Sequence, residues 1–316
     1  MLFSDSGRLQ KPWHFKYLAM YSSVYGGIVT DPTLMMIPAD DHVVHRGDGV
    51  FDVAKCVEGG VYQFDGHLDR LFRSAAAISL VPPCDREAIE RIAIETIRAG
   101  NEPNCSIRIT LSRGPGGFSV SPLECPESAL YVNVFRTKTL PPEYLTEGVR
   151  ISLSEVPIKP SYFARVKSCN YLPNVLMALE AKTADAHFTV ALDEQGFLAE
   201  GSTENIIVVS GEGYLLFPEY NRILKGLTVS RAAKLAEKLV EEGLISGVRF
   251  ANISPEEAYR GREMMLLGTS IDVLPAVYLN GRTIGEGKPG PVAKRLRQLF
   301  RDDMTRNPEM ITRVFA

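Results

Sequence analysis

The chain is 316 residues long, 45% hydrophobic and 23% charged, which supplies a large core and, at about 100 to 200 residues per domain, predicts two domains. A net charge of -3 excludes a general binder of nucleic acid or anionic membrane. The five scattered cysteines, Cys56, Cys84, Cys105, Cys125 and Cys169, form no CxxC pair, no apolar run approaches the roughly 18 residues of a membrane helix, and the N-terminus MLFSDSGRLQKPWHFK lacks a secretory core, so a reduced, cytoplasmic protein without disulfides or zinc is expected.

In chain order, the first elements are the short strands VFDVAKCV and VYQF, separated by the hairpin signal Glu58-Gly59-Gly60. Asp65-Gly66 leads into a helix, HLDRLFRSAAAISL, with Leu68, Leu71, Phe72, Ala75 and Leu80 as its buried stripe and Arg70 and Arg73 flanking it. A second helix, DREAIERIAIETIRAG, has Asp85 as N-cap and Ile89, Ile92 and Ile97 inward. The strands CSIRITLS and ALYVNVF follow, separated by RGPGGFSVSPLECPES, a Gly/Pro-rich loop suited to covering a pocket. No strict βαβ rhythm appears, which predicts an α+β layer domain rather than a doubly wound sheet. A composition break at TKTLPPEYLTEG places the linker between Arg136 and Ser161; the domains are taken as 1–148 and 149–316.

In the second half, Lys167 closes an extended segment immediately before a helix, VKSCNYLPNVLMALEAK, which puts its amine at a strand end. Glu200 lies in AEGSTEN, between the strands FTVAL and NIIVV, where the turn Asp193-Glu194-Gln195-Gly196 returns the chain. Taken singly, both read as solvated surface charges, as most lysines and glutamates are. Further on, Gly226-Leu227-Thr228 opens an amphipathic helix whose free N–H groups, dipole end and hydroxyl suit a phosphate; a plain N-cap threonine is the competing reading. EMMLLGTSIDVLPAV reads as a buried strand that stops at Gly268-Thr269-Ser270, a second donor-rich turn, and resumes at Pro275. A basic amphipathic helix, KPGPVAKRLRQLFRDDM, ends the chain's regular structure. His14, His42, His45, His67 and His187 show no metal-ligand spacing, and no serine-hydrolase, zinc-protease or nucleotide motif is present.

A lysine, a carboxylate, an arginine on the inner edge of a helix and two donor-rich turns meet the needs of one small molecule. Pyridoxal 5'-phosphate has an aldehyde for Lys167, a ring nitrogen for Glu200 and a phosphate for the rest. The stretches VKSCNYLPNVLMALEAK, LDEQGFLAEGSTENIIVV, ILKGLTVSR and HRGDGVFDVA with HLDRLFRSA resemble the fold-type IV pyridoxal-phosphate family, which includes D-amino-acid and branched-chain aminotransferases and aminodeoxychorismate lyase. Within it, the chain is most similar to the plant-type D-amino-acid transaminase and lyase group.

The resemblance implies a smaller N-terminal α/β domain, a larger C-terminal pseudo-barrel domain, a cofactor in the cleft between them and a homodimer. It makes Lys167 the Schiff-base lysine and general acid–base, Glu200 the pyridinium partner and Arg70 the phosphate clamp through a bidentate fork. Leu227, Thr228 and Thr269 are its other phosphate contacts. Tyr171 is placed like a tyrosine that bonds the cofactor phenolate, with a spacing from the lysine that differs by one residue.

The substrate pocket departs from the bacterial D-amino-acid transaminases, whose Arg-x-His carboxylate trap is replaced by Phe118 and Val120 in SRGPGGFSV. Arg46, just before GDGVF, is expected to bind the substrate carboxylate, with Arg108 in SIRIT as the second candidate and Arg113 as a third that reads as structural, as turn arginines more often are; Phe51, Phe118 and Ser270 are further pocket residues, a wall suited to small neutral or branched-chain amino acids. Lyase-type relatives often carry threonine at the position of Val53, so transamination is expected ahead of a lyase releasing 4-aminobenzoate and pyruvate. An inactive structural homologue is the third reading, against which Lys167, Glu200 and Arg70 together argue.

Overall fold

The computed structural model describes residues 10–220 and 223–315; most of the N-terminal stretch read for a secretory signal, residues 1–9, lies outside the described residues. In chain order the elements are β1 (Tyr17–Ser22), β2 (Gly27–Val29), α1 (His42–His45), β3 (Gly49–Val57), β4 (Gly60–Tyr62), α2 (Phe64–Ala77), α3 (Arg86–Gly100), β5 (Cys105–Ser112) and β6 (Ala129–Arg136). Then come α4 (Glu143–Thr146), β7 (Val149–Ser154), α5 (Ser161–Ala164), α6 (Leu172–Thr183), β8 (Phe188–Leu192), β9 (Leu198–Gly201), β10 (Asn205–Val209) and β11 (Tyr214–Pro218). The remainder is α7 (Leu227–Glu241), β12 (Gly247–Ala251), α8 (Pro255–Tyr259), β13 (Glu263–Gly268), β14 (Asp272–Leu279), β15 (Arg282–Thr283), α9 (Pro291–Arg306) and β16 (Ile311–Arg313). No helix among the described residues is long and apolar enough to cross a membrane.

The chain divides into two compact units, whose limits differ from the single boundary taken at 148/149. The first holds Met1–Lys138, Val166–Asn170 and Asn307–Ala316; the second holds Thr139–Arg165 and Tyr171–Arg306. The cause is strand pairing over long sequence separation, which local patterning does not carry. Ser168 forms an isolated bridge with Val50, and β16 pairs with β4 through Ile311 and Tyr62.

The first unit is a seven-stranded sheet in the order β16-β4-β3-β5-β6-β1-β2. Alternation along β3 sends Val50, Ala54 and Cys56 into the core with Leu68, Leu71 and Ala75 of α2 and Ile89, Ala93 and Ile97 of α3. Asp85 caps α3 by accepting the Ala88 N–H at 2.8 Å, as its sequence position predicts. A fully buried aliphatic side chain of this kind contributes about 1.5–3 kcal/mol, so the sheet face and two amphipathic helices account for the unit's cohesion.

The second unit has a nine-stranded sheet ordered β12-β11-β10-β13-β14-β7-β8-β9, with β15 on β14. β9 pairs back onto β10, so six of these strands, β10-β13-β14-β7-β8-β9, close into the expected pseudo-barrel. One register pair, Glu200 opposite Asn205, makes the seam. Val149, Ile151, Val190, Ile206, Leu266 and Leu274 are among its buried apolar residues, while α7 packs on α9 and α9 on β14. β14 begins at Asp272, three residues before the expected restart. Pro275 is tolerated inside the strand because pairing with β7 starts one residue later, at Ala276, so the missing N–H removes no bond on that side.

Candidate active site

Lys167 lies not at a strand end but in an irregular segment whose main chain is pinned to β3. Phe51 N–H donates to the Lys167 carbonyl at 2.9 Å, and Cys169 N–H to the Gly49 carbonyl at 2.8 Å. The Lys167 N–H in turn donates to the buried Ser74 hydroxyl of α2 at 3.2 Å. The side chain reaches over Phe51, with Nζ 4.9 Å from the ring centroid. The Arg108 guanidinium carbon lies 3.9 Å from the same centroid, so one buried aromatic ring carries both cations. The cross-strand register explains this: Arg108 pairs with Val53 and Thr110 with Phe51, which puts Arg108 diagonally beside the ring. Beside them, burial raises the Cys169 thiol pKa and the Arg108 guanidinium partly opposes the shift.

Asp52 follows Phe51 and points to the opposite face of β3, toward α2. It accepts Arg70 Nε at 2.7 Å and Nη2 at 2.8 Å, and His67 Nδ1 lies 2.7 Å from Oδ1. His67, Arg70 and Ser74 fall at i, i+3 and i+7 and therefore share one side of α2. Arg70, expected at the edge of the helix, is 7% exposed. Its bidentate edge is engaged by Asp52, so a phosphate cannot take that edge and would have to meet the Nη1 side. Burial alone pushes the Asp52 carboxyl up, but Arg70 and then His67 more than reverse this and hold it well below the usual carboxylate range. Burial pushes the His67 imidazole down; Asp52 opposes the shift, and the Arg70 and Lys167 charges add to it. Because Asp52 is a carboxylate and His67 is neutral, Nδ1 is the donor in their bond.

These shifts give a signed pH dependence. The Asp52 carboxylate contributes stability in full above its unfolded value of about 3.9, and this is lost only as pH falls toward its depressed folded value. His67, buried neutral, opposes folding progressively as pH drops through about 6.5, where the unfolded imidazole takes up a proton. Denaturation midpoints measured from pH 7 to 5 are expected to fall in the wild type and to flatten in His67→Gln.

In the second unit, Glu200 and Asn205 face each other across the barrel seam and grip one residue between them. Glu200 Oε2 accepts the Leu224 N–H at 3.1 Å and Asn205 Nδ2 donates to the Leu224 carbonyl at 3.2 Å. Two residues later Gly226 caps α7, whose first residues are Leu227 and Thr228. A Cβ at Gly226 would stand 2.0 Å from Asn205 Oδ1, so a larger residue there would displace the Asn205 side chain that holds the Leu224 carbonyl. No side chain caps this helix, and its opening N–H groups point out of its first turn. Glu204, buried, accepts the Thr203 N–H at 2.9 Å and orders the turn that presents Glu200. Thr269 and Ser270 form the β13–β14 turn, where Ile271 N–H donates to the Gly268 carbonyl at 3.2 Å. Tyr171 precedes α6, and Lys159 Nζ lies 4.6 Å from its ring centroid.

The remaining pocket candidates separate cleanly. Arg113 pairs with Asp48 through Nε and Nη2, both at 3.0 Å, and donates to the Ile78 and Ser79 carbonyls at 2.9 Å. It is a structural clamp at the end of α2, which removes it as a substrate ligand. Arg46 donates to the carbonyls of His45 at 3.0 Å, Ser119 at 3.3 Å and Phe118, tying down the Gly/Pro-rich loop. Phe118 is 66% exposed and rests on the His45 ring at 4.9 Å.

Three residues escaped the sequence reading. The alternation in VFDVAKCV and the i, i+3 spacing of His67 and Arg70 were the available signals for Asp52 and His67. For Lys159, inside a proline-flanked loop, there was none: burial pushes its amine down, while Glu200 pulls the other way.

A lysine on an aromatic face, a carboxylate locked beside an uncapped helix start and a closed pseudo-barrel together describe one class of protein. The chain belongs to the class IV aminotransferase family, whose model, described as Amino-transferase class IV, matches residues 49–278. It is therefore a transaminase of that class. Its sequence is 43% identical to the chloroplastic D-amino-acid transaminase of Arabidopsis thaliana over 298 residues, 94% of this chain and 79% of that protein. It is 28% identical to the branched-chain-amino-acid aminotransferase of Escherichia coli K12, over 82% of this chain and 85% of that protein. Among solved structures, a T.th. branched-chain amino acid aminotransferase with pyridoxamine 5'-phosphate superposes with a TM-score of 0.88 at 26% identity, covering 95% of this chain and all of that one. The fold and family expected from the sequence are those found.

Proposed function

We propose that the chain is a pyridoxal-phosphate-dependent aminotransferase acting on a neutral amino acid, with a D-amino acid as donor, and a 2-oxo acid. The observation that carries this reading is the Glu200–Leu224–Asn205 grip, which joins a carboxylate to an uncapped, glycine-led helix start in one rigid element. Each unit carries donors of the type the cofactor needs: an amine at Lys167 and a guanidinium at Arg70 in the first, and in the second a carboxylate at Glu200 with the N–H and hydroxyl groups of Leu227, Thr228 and Thr269. When bound, pyridoxal phosphate supplies an aldehyde that exchanges an amino group and a ring that withdraws the electron pair left at the substrate Cα. Lys167 Nζ would carry the proton that leaves the substrate Cα, Glu200 would hold a proton at the ring nitrogen, and Tyr171 would serve the phenolate oxygen.

Arg108 is the preferred ligand for the substrate carboxylate, since it stands over the same Phe51 ring as Lys167, whereas Arg46 holds backbone carbonyls. Arg46 and Phe118 on the first unit, and Ser270 on the second, are further substrate contacts in this reading. Arg108→Ala is expected to raise KM for the amino donor about tenfold or more, the cost of losing a charge-assisted contact, with a smaller change in kcat. Assaying D- and L-alanine, leucine and glutamate against one oxo acid tests the donor class; turnover confined to L-amino acids contradicts the D-donor assignment. Val53, opposite Arg108 in the sheet, stands where lyase-type relatives often carry threonine. Release of 4-aminobenzoate from aminodeoxychorismate without oxo-acid-dependent turnover would replace the transaminase reading by the lyase.

The same reading includes a homodimer. Leu172, Val175, Leu176 and Leu179 recur at i, i+3, i+4 and i+7 on α6 and are 68%, 59%, 43% and 59% exposed. A second copy covers this stripe. Light scattering is expected to report twice the 34.9 kDa chain mass, and Leu179→Glu to shift it toward the monomer. The five free thiols support a reducing compartment, the cytoplasm first; the plastid named for the Arabidopsis relative is the alternative.

A further inference from the structure

We propose that Asp52 and His67 are positioning residues for the cofactor phosphate: they hold the Arg70 guanidinium in one orientation, and α2 sets that orientation in register with Lys167. The proposal rests on the pyridoxal-phosphate reading and adds residues to it. An arginine side chain has many rotamers, and its worth as a phosphate ligand depends on the fork being in place before the ligand arrives. Here Asp52 takes the Nε and Nη2 hydrogens at 2.7 and 2.8 Å, which fixes the plane of the fork and directs its Nη1 side away from the carboxylate. His67 Nδ1, 2.7 Å from Oδ1, holds that carboxylate from a second direction. All three side chains are buried, so no water competes for these bonds.

Ser74, one helical turn beyond Arg70, accepts the Lys167 N–H at 3.2 Å. A single side of α2 therefore sets both the guanidinium and the main chain of the lysine. Asp52 also balances the Arg70 charge. What it contributes to phosphate binding is orientation, not added positive charge.

The test compares two ligands that differ only in the phosphate. The full chain, stripped of cofactor, is titrated with pyridoxal 5'-phosphate and with pyridoxal, and the visible absorption that develops on Lys167 gives both Kd values for wild type, Asp52→Asn and His67→Gln. Asp52→Asn is expected to cut the affinity advantage of the phosphorylated ligand roughly ten- to hundredfold, the scale for removing a partner that orients a ligating side chain. Pyridoxal itself should bind within about threefold of wild type, because the ring and aldehyde contacts are untouched. His67→Gln should move the ratio in the same direction by less. Equal weakening of both ligands marks a merely structural role and overturns the proposal, as does an unchanged ratio in the variants. Should Asp52→Asn fail to fold, an unchanged ratio in His67→Gln is sufficient to overturn it. A wild-type chain that develops no visible band with either ligand overturns the pyridoxal-phosphate reading as well.

Discussion

Replacing Lys167 with alanine is expected to lower kcat roughly 10⁴-fold, the upper end of what a positioned acid–base side chain contributes, and more if covalent capture of the cofactor is lost as well. Folding should survive the change. The bonds that hold this segment are main-chain bonds, from Phe51 to the Lys167 carbonyl and from the Lys167 N–H to Ser74, and alanine keeps both. A stability change within about 1 kcal/mol is therefore expected, as for substitutions away from the core. Rates measured under saturating oxo acid, alongside a denaturation curve, separate the two effects. A variant that keeps more than a tenth of wild-type turnover contradicts the role given to Lys167.

Arg70→Ala is expected to remove a phosphate ligand and, in the cofactor-free chain, to lower stability. It leaves Asp52 buried without its cation, and breaking a buried pair by removing one partner costs about 3–5 kcal/mol. The loss should shrink in acid, because an unpaired buried carboxyl takes up a proton more readily than the paired one does. Chemical-denaturation midpoints at pH 7 and pH 5 check both statements. A penalty that is the same at the two values would mean that Asp52 finds another partner in the variant.

Much of the local structure was legible. CSIRITLS, FTVAL and NIIVV are β5, β8 and β10 as read, and the Asp193 to Gly196 turn joins β8 to β9 as its Asp and Gly predict. These elements follow from alternation, β-branched residues and turn chemistry within a dozen residues. What could not be read depends on pairing over long separations. The β9–β10 seam, the return of β16 to β4 and the bridge from Ser168 to Val50 leave no local trace.

The candidate site follows the same division. Lys167 and Glu200 stood out by position, while Arg70 was recognised without its partner. An aspartate in a strand reads as an edge residue until the alternation of its neighbours is weighed, and that weighing turns Asp52 inward. Its place before GDGVF favours Arg46 over Arg108 in the sequence, and Arg113 reads there as a turn arginine. Only the carbonyls and the carboxylate around them show that two of the three are holding the chain together.

The most direct test of the central claim is to load the protein with pyridoxal 5'-phosphate, reduce it with borohydride and map the modified peptide by mass spectrometry. A single phosphopyridoxyl adduct on Lys167 is the predicted result. An adduct on Lys159, whose partly buried amine feels the Glu200 charge, or no adduct at all, contradicts it.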